Sequence, residues 1–415
     1  MTFDVQQIRS QFPSLSQQID GKQPIFLDNP AGTQVPQRVI DAVTHYFTHI
    51  NANQGGAFAT SKATDAMQHQ ARELVRDLFI APRTEEIVFG PSMTALNFNL
   101  SRAIAQTLPS DAELVVTRMD HDANVAPWLT IADDHDWPVR WVDFDPELGT
   151  LDIQSLRDAV NEKTAVVAAV HASNALGTIN PAQEIAEIAH SVGAYFVLDA
   201  VQSAPHVPID VQQIGCDFLL CSAYKFFGPH IGIMWGKYEL LQSLPAYKVR
   251  PSKDVTPFRW ENGTPSFETI AAVGAAIEYL KSLRADDGPM IEGYGGRQLH
   301  LKQAFATLQD YEMQLADKLV SGLQSINGVT VAGITDRDQL AHRVATVAFV
   351  KDGHSPQAIV EHLAQQQIFA WSGHYYAVEV MARLGREAQG MVRVGAVHYN
   401  TMEELDTFLN LIEAL

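Results

Sequence analysis

From Glu86 to Trp235 the chain alternates between short apolar runs and longer stretches with helical spacing. The runs Glu86–Phe89, Leu114–Thr117, Val139–Phe144, Ala165–Val170, Tyr195–Leu198, Phe218–Cys221 and Ile231–Trp235 have strand length. Strands that alternate with helices predict an α/β fold built on a mostly parallel, doubly wound sheet. Upstream, Pro24–Pro36 predicts a short strand and a turn-rich loop containing Asn29. A helix follows from about Pro36, where proline suits the first turn. The polar, glycine-rich segment 51–61 predicts a loop, and Ala66–Leu78 a helix. A helix at about Thr269–Leu283 leaves this unit, and Asp286-Asp287-Gly288-Pro289 marks a boundary. Beyond it, a long helix (about Arg297–Ile326) and strand candidates at Val329, Val344, Phe369 and Val392 predict a smaller α/β domain. The expected division is an N-terminal arm (1–20) packing with the small domain, a large domain (21–285) and the small domain (286–415).

Composition narrows the classes. The 415 residues are 46% hydrophobic and 19% charged, typical of a well-packed globular protein. No run approaches the roughly 18 apolar residues that span a bilayer. The start, MTFDVQQIRSQF, lacks the basic and apolar regions of a secretory signal, so a cytoplasmic location is expected. A net charge of −19 argues against nucleic-acid or anionic-membrane partners. It leaves a small anionic ligand open, because local site charge is independent of the total. Two cysteines, Cys216 and Cys221, cannot make a disulfide framework.

Two residues at strand ends are ones a core would not choose: Asp199 after one run and Lys225 just past the next. Parallel strands deliver their carboxyl ends to one edge, where ligands bind. A lysine beside apolar strand ends loses solvation, so its pKa falls and its amine becomes a nucleophile. The rival account is a structural ion pair between the two. Phe89-Gly-Pro-Ser-Met-Thr stands between a strand and a helix, with Ser92 and Thr94 suited either to cradle a phosphate or to cap the helix. There is no Walker lysine and no full dinucleotide fingerprint. His121, in Met119-Asp-His-Asp-Ala-Asn, follows another strand. Neither its acidic neighbours nor Asp133-Asp134-His135-Asp136 shows metal-ligand spacing, so no metal is expected. Asn174 follows a further strand and serves either as a donor or as a turn former. Ser222-Ala-Tyr-Lys225 matches the S-x-x-K acylase signature, but S-D-N and K-T-G are missing, which rejects that chemistry.

Taken in order, MDHDANVAPW, HASNALGT, LDAVQSA, CSAYKFFGP and ENGTP resemble the fold-type I enzymes that use pyridoxal 5′-phosphate. The similarity is to aminotransferase class V, in its cysteine desulfurase and selenocysteine lyase branch, from Phe26 to Thr401. It implies that Lys225 is the Schiff-base lysine and that Asp199 pairs with the pyridine nitrogen. His121 would stack on the ring, and Asn174 and Gln202 would bond its phenolic oxygen. Ser92, Met93 (through its backbone), Thr94, Ser222 and Tyr224 fall at phosphate positions. Thr264 matches a residue that reaches the phosphate from a partner subunit, which implies a homodimer with shared active sites. Arg393 would clamp the carboxylate of an amino-acid substrate, with Asn29, Trp371 and Tyr376 also at the substrate.

The departures shape the expected chemistry. Where the branch carries a loop cysteine that takes sulfur as a persulfide, this chain has Trp371-Ser-Gly-His-Tyr-Tyr376-Ala. Tyr376 replaces the cysteine, Trp371 replaces an arginine, and with Tyr375 they give an aromatic, less basic wall. Asn53-Gln54 replaces a more basic pair. Cys216 and Cys221 lie in or beside a strand, where thiols are usually inert. The expectation is β-elimination of the C–S lyase type without a persulfide, with Lys225 moving the Cα proton. The alternatives are a class V aminotransferase, an amino-acid racemase or epimerase and, from another class, a non-catalytic pyridoxal-phosphate-binding protein.

Overall fold

The computed structural model describes residues 3–285 and 288–415. Asp286 and Asp287, half of the expected boundary turn, lie outside the described residues, as do Met1 and Thr2.

All seven expected runs join one seven-stranded sheet. Across it the order is Ile87–Gly90, Gly232–Gly236, Phe218–Ser222, Tyr195–Asp199, Thr164–Val170, Glu113–Thr117 and Val139–Val142. Gly232–Gly236 runs antiparallel to both its neighbours, and the remaining strands point one way. The strands read as unbroken apolar runs because both faces of the sheet are covered. Leu114, Val116, Val197 and Leu220 face one apolar cluster with the helices Met93–Ala105 and Ala126–His135. Val115, Val167, Leu198 and Leu219 face another with Ala59–Phe79, Ala182–His190 and Phe267–Ser282. The doubly wound layering expected from the alternation is the layering observed.

Some boundaries moved for local reasons. The Val139–Phe144 run is not one strand. Asp143 takes the Phe144 N–H at 2.8 Å, and Phe144–Asp145 turns away to pair with Thr150–Leu151. In the segment expected as a loop, residues from Ala59 are already helical. Ser61, inside that helix, accepts from the Gly56 N–H and donates to the Asn53 carbonyl, fastening the loop to the helix start.

A second sheet of four antiparallel strands has the order Val329–Ala332, Thr346–Lys351, Met391–Gly395, Trp371–Gly373. Its register sets Trp371 directly across from Arg393. The first apolar strand, Ile25–Phe26, does not join the large sheet. It pairs in parallel with Ile368–Phe369, and Asp28 bridges to Gly395. A Cβ on Gly395 would sit 2.2 Å from Pro30 Cγ, so glycine permits this crossing. The arm helix Val5–Arg9 lies against the same end of the chain, with Arg9 Nη1 donating to the Tyr399 carbonyl at 2.6 Å and pairing with Glu404 at 2.7 Å.

Two buried polar residues fasten these parts. Glu312, on the helix Gly296–Ser325, bonds His206 at 2.7 Å and accepts the His398 N–H at 3.0 Å. Burial raises its pKa, but the two histidines together outweigh that and hold it below its usual range. Asn29 donates to the carbonyls of Phe26 (2.9 Å) and Gly395 (2.7 Å) and to Asn400 Oδ1 (3.0 Å), and its oxygen accepts from the Tyr399 hydroxyl. Leaving such buried partners unsatisfied is what makes a single deletion expensive. Asn29→Ala is therefore expected to lower the unfolding free energy by roughly 2–3 kcal/mol. Chemical denaturation checks this, and unchanged stability would mean the clamp contributes nothing.

Candidate functional site

The parallel strands end at one edge, and the residues just past those ends converge there. Asp199 closes its strand in register with Val170 and Leu220. One carboxylate oxygen accepts the Val201 N–H at 2.8 Å. Burial pushes its pKa up to about 6, against the opposing pull of that hydrogen bond and of Lys225. Lys225 ends a single turn, Ala223–Lys225, that continues the next strand. Its ammonium donates to the Pro30 carbonyl and lies 4.9 Å from the centre of the Tyr224 ring. Burial, reinforced by Arg393, lowers its pKa to about 7, and Asp199 and Asp28 only partly compensate. Among the described residues no ion pair joins Lys225 to Asp199, so the simple structural-pair account does not hold.

The other strand ends supply neutral groups and one cation. His121 Nδ1 accepts the Ala123 N–H at 3.0 Å. Burial, then Lys225 and Arg393, depress its pKa to about 4, so the ring is neutral with its proton on Nε2. Asn174 and Gln202 are buried beside it, bonded to the Tyr375 carbonyl (2.9 Å) and Thr346 Oγ1 (3.3 Å). Arg393 comes from the small sheet. Its Nη1 donates to the Asn174 carbonyl at 3.0 Å, and its guanidinium lies 4.4 Å from the Tyr375 ring centre. Even with burial lowering its pKa to about 10, it stays cationic at neutral pH.

These groups line one cavity of about 680 Å³. Met93, Thr94, His121, Asn174, Asp199, Gln202, Ser222, Tyr224, Lys225, Trp371, Tyr376 and Arg393 all line it. Two expected residues do not, and Thr264, expected to act from a partner subunit, lies outside it in this chain. Ser92 is an exposed N-cap, its hydroxyl accepting the Ala95 N–H at 3.1 Å. Asn29 is consumed by the clamp described above, so its expected place at the substrate is corrected to a structural one. Thr264 is exposed in a neighbouring depression with Phe89, Pro91 and Asn262, outside the cavity. Neither cysteine lines the cavity; both are buried, and burial raises both thiol pKa values.

Sequence reasoning missed Phe98, Val201 and Asp28. Phe98 lies one helical turn beyond Thr94, and Val201 two residues beyond Asp199, so spacing alone held the signal. Asp28 bears on Lys225 and Arg393 from the crossing segment, and burial raises its pKa to about 6. Nothing in the local sequence indicates that this segment returns to the sheet edge. Among the described residues no group of three or more His, Cys, Asp or Glu is placed to hold a metal.

The loop after Trp371–Gly373 closes the cavity mouth. Tyr375 and Tyr376 both have left-handed backbones, φ 51° and 59°. The Asp122 N–H donates to the Tyr376 carbonyl at 2.7 Å, and the Tyr375 hydroxyl donates to the Met391 carbonyl. The Tyr376 ring then stacks on His121 at 5.4 Å with 24° between planes.

The cavity fits pyridoxal phosphate. Asn174 Oδ1, Gln202 Oε1 and Arg393 Nε are buried without partners in the cavity wall, free to bond a polar ligand there. The helix Met93–Ala105 opens on the cavity, and its free N–H groups favour an anion. Comparison with known proteins agrees. The family described as Aminotransferase class-V matches residues 25–288 and 297–408. A cysteine desulfurase of Synechococcus elongatus is 33% identical, covering 100% of this chain and 64% of that protein. A probable cysteine desulfurase of Synechocystis sp. is 33% identical, covering 98% and 94%. The apo cysteine desulfurase of Thermococcus onnurineus NA1 superposes with a TM-score of 0.87 at 26% identity, covering 100% of this chain and 98% of that one. The chain belongs to the aminotransferase class V family, whose members depend on pyridoxal phosphate.

A neutral amine is needed to take up an aldehyde, and Lys225 becomes neutral as pH rises through about 7 rather than through the ordinary 10.5. Cofactor-free protein mixed with pyridoxal phosphate is expected to load faster as pH rises through neutrality, with a plateau roughly one unit above the Lys225 pKa. Stopped-flow absorbance measures this. A rate still climbing towards pH 10 would contradict a desolvated lysine.

Proposed function

We propose that this class V protein is a pyridoxal-phosphate-dependent C–S lyase that removes the sulfur substituent of an S-substituted cysteine by β-elimination. The observation that carries the reading is a cavity holding a desolvated lysine and a buried arginine with a free Nε, but no thiol.

When bound, pyridoxal phosphate supplies an electron sink for the charge left when a bond to the substrate Cα breaks. The residues to hold it are Lys225 at the aldehyde, Asp199 at the ring nitrogen and His121 against the ring face. Asn174 and Gln202 reach its oxygen, and Met93, Thr94, Ser222 and Tyr224 serve the phosphate, with Thr264 from a second copy. Burial that raises the Asp199 pKa makes its carboxylate a strong partner for a buried cation. His121, being neutral, packs against the ring without adding positive charge to the site.

Arg393 fixes the substrate carboxylate through Nε and an Nη, a planar two-point contact that orients Cα. Tyr375 lies over the guanidinium and shields it from water. Lys225 Nζ would take the Cα proton. The Cβ–S bond then breaks with its electron pair leaving on sulfur, which is protonated to a thiol. Addition of one water gives pyruvate and ammonia, so the atoms balance without oxidant or reductant. A persulfide route needs a thiolate at the mouth, and Tyr376 holds a phenol there while Cys216 and Cys221 are buried with raised pKa values. Transamination or racemization would use the same proton transfer but retain the C–S bond.

Purified enzyme given S-substituted cysteines is expected to release pyruvate and thiol in equal amounts, and Lys225→Ala to lower the rate by about 10³-fold or more. Arg393→Lys is expected to raise KM about tenfold or more, because an ammonium cannot make the two-point contact. An intact keto acid carrying the sulfur, loss of optical purity without pyruvate, or protein-bound sulfane sulfur after cysteine treatment would each overturn the reading.

A further inference from the structure

The chemistry at the reacting end of the cavity says nothing of what the sulfur carries. That is decided at the mouth, which is unusually aromatic. Trp371 is 54% exposed and Tyr376 65% exposed, yet both line the cavity. Large apolar side chains this open, beside a reactive lysine, are placed for a ligand rather than for the core.

Their positions are fixed by backbone, not by side-chain chance. Trp371 is the direct cross-strand partner of Arg393, so its indole stands beside the proposed carboxylate clamp. Tyr376 is held in a left-handed conformation by hydrogen bonds to its backbone on either side. The Asp122 N–H reaches its carbonyl at 2.7 Å, and its own N–H donates to His374 Nδ1 at 3.0 Å. Non-glycine residues persist there only where surrounding contacts over-determine them, and such positions concentrate at ligand clamps. Phe98 adds a further ring to the lining.

Charge narrows the ligand further. Apart from Asp199 and Lys225, the charged side chains lining the cavity are Arg393 and Asp122. Arg393 is engaged with Asn174 and covered by Tyr375, and Asp122, also lining the cavity, forms no ion pair among the described residues. Arg102 approaches Phe98 at 5.5 Å but belongs to the neighbouring depression. A negative sulfur substituent would meet aromatic faces and a carboxylate. A planar ring, neutral or cationic, meets surfaces that favour it.

We propose that the substrate of this site is a cysteine whose sulfur carries a planar aromatic or heteroaromatic group, neutral or cationic, seated against Trp371 and Tyr376. The proposal rests on the elimination reading for its chemistry, but its recognition element is independent of the reaction. Two measurements separate them. The first is kcat/KM for pyruvate release from S-benzyl-, S-methyl- and S-carboxymethyl-L-cysteine. The second is the calorimetric Kd of L-homophenylalanine, which has no sulfur to lose, against that of L-2-aminobutyrate.

The expected order is S-benzyl above S-methyl by about tenfold or more, with S-carboxymethyl lowest, and homophenylalanine binding about tenfold tighter than aminobutyrate. Trp371→Ala is expected to collapse the benzyl-to-methyl ratio about tenfold, and Trp371→Phe to restore most of it. Circular dichroism confirms that both variants fold. Pyruvate from the panel without an aromatic preference, or with S-carboxymethyl as good as S-benzyl, overturns this proposal and leaves elimination standing. No pyruvate from any substrate, with homophenylalanine still bound tighter, overturns elimination and leaves the aromatic seat standing. Equal binding of the two amino acids with no pyruvate overturns both.

Discussion

Everything at the centre of this molecule depends on removing charges from water at one edge of a sheet. An ionised group loses far more than its neighbours return when it is taken into an apolar interior, unless a partner compensates. Here the partners are incomplete by design of the fold. Asp199 holds one backbone N–H, Lys225 leans on a carbonyl oxygen, and Arg393 keeps a buried Nε without an acceptor. Each is therefore shifted towards neutrality, Asp199 upward, Lys225 and Arg393 downward. A ligand that carries a phosphate, a protonatable ring and an aldehyde, together with a substrate carboxylate, supplies the missing partners.

The rest of the architecture keeps those charges apart and oriented. The large sheet fixes Asp199 at the end of one strand and Lys225 in the turn just past its neighbour, so the backbone, not side-chain attraction, holds them near one another. Arg393 arrives from the small sheet, and the two sheets meet through Arg393 to Asn174 and Gln202 to Thr346. The crossing segment from Asp28 to Thr33 finishes the arrangement. Its Pro30 carbonyl meets Lys225, and Thr33 accepts the Phe227 N–H at 2.8 Å just past the lysine. Asn29, within that segment, spends its whole amide on holding the two ends of the chain together. A residue that resembled a substrate contact in sequence is in fact the fastening.

The family scaffold and the chemistry of its mouth separate cleanly in this chain. Just past the strand ends, an acid, an amine, a histidine and two amides line one cavity. The loop after Trp371 carries the Tyr376 ring stacked on His121 and two left-handed tyrosine backbones. On the proposed reading, the buried edge activates the amino acid and the loop decides what becomes of its sulfur.

The layers were legible in the chain's local pattern, and so were the positions of several residues that line the cavity. Seven apolar runs of strand length between helical stretches left one layering able to bury them, and Asp199, Lys225, His121 and Asn174 were legible because each follows such a run. These signals are local: a strand end is written in the residues beside it. What depends on distant segments meeting came from their packing. It paired Ile25–Phe26 with Ile368–Phe369 instead of the large sheet, brought Asp28 towards Lys225, turned Asn29 inward and Thr264 outward, and set Trp371 across from Arg393. Which partners a buried polar group finds is fixed by packing between elements far apart in the chain, and no pattern of nearby residues encodes it.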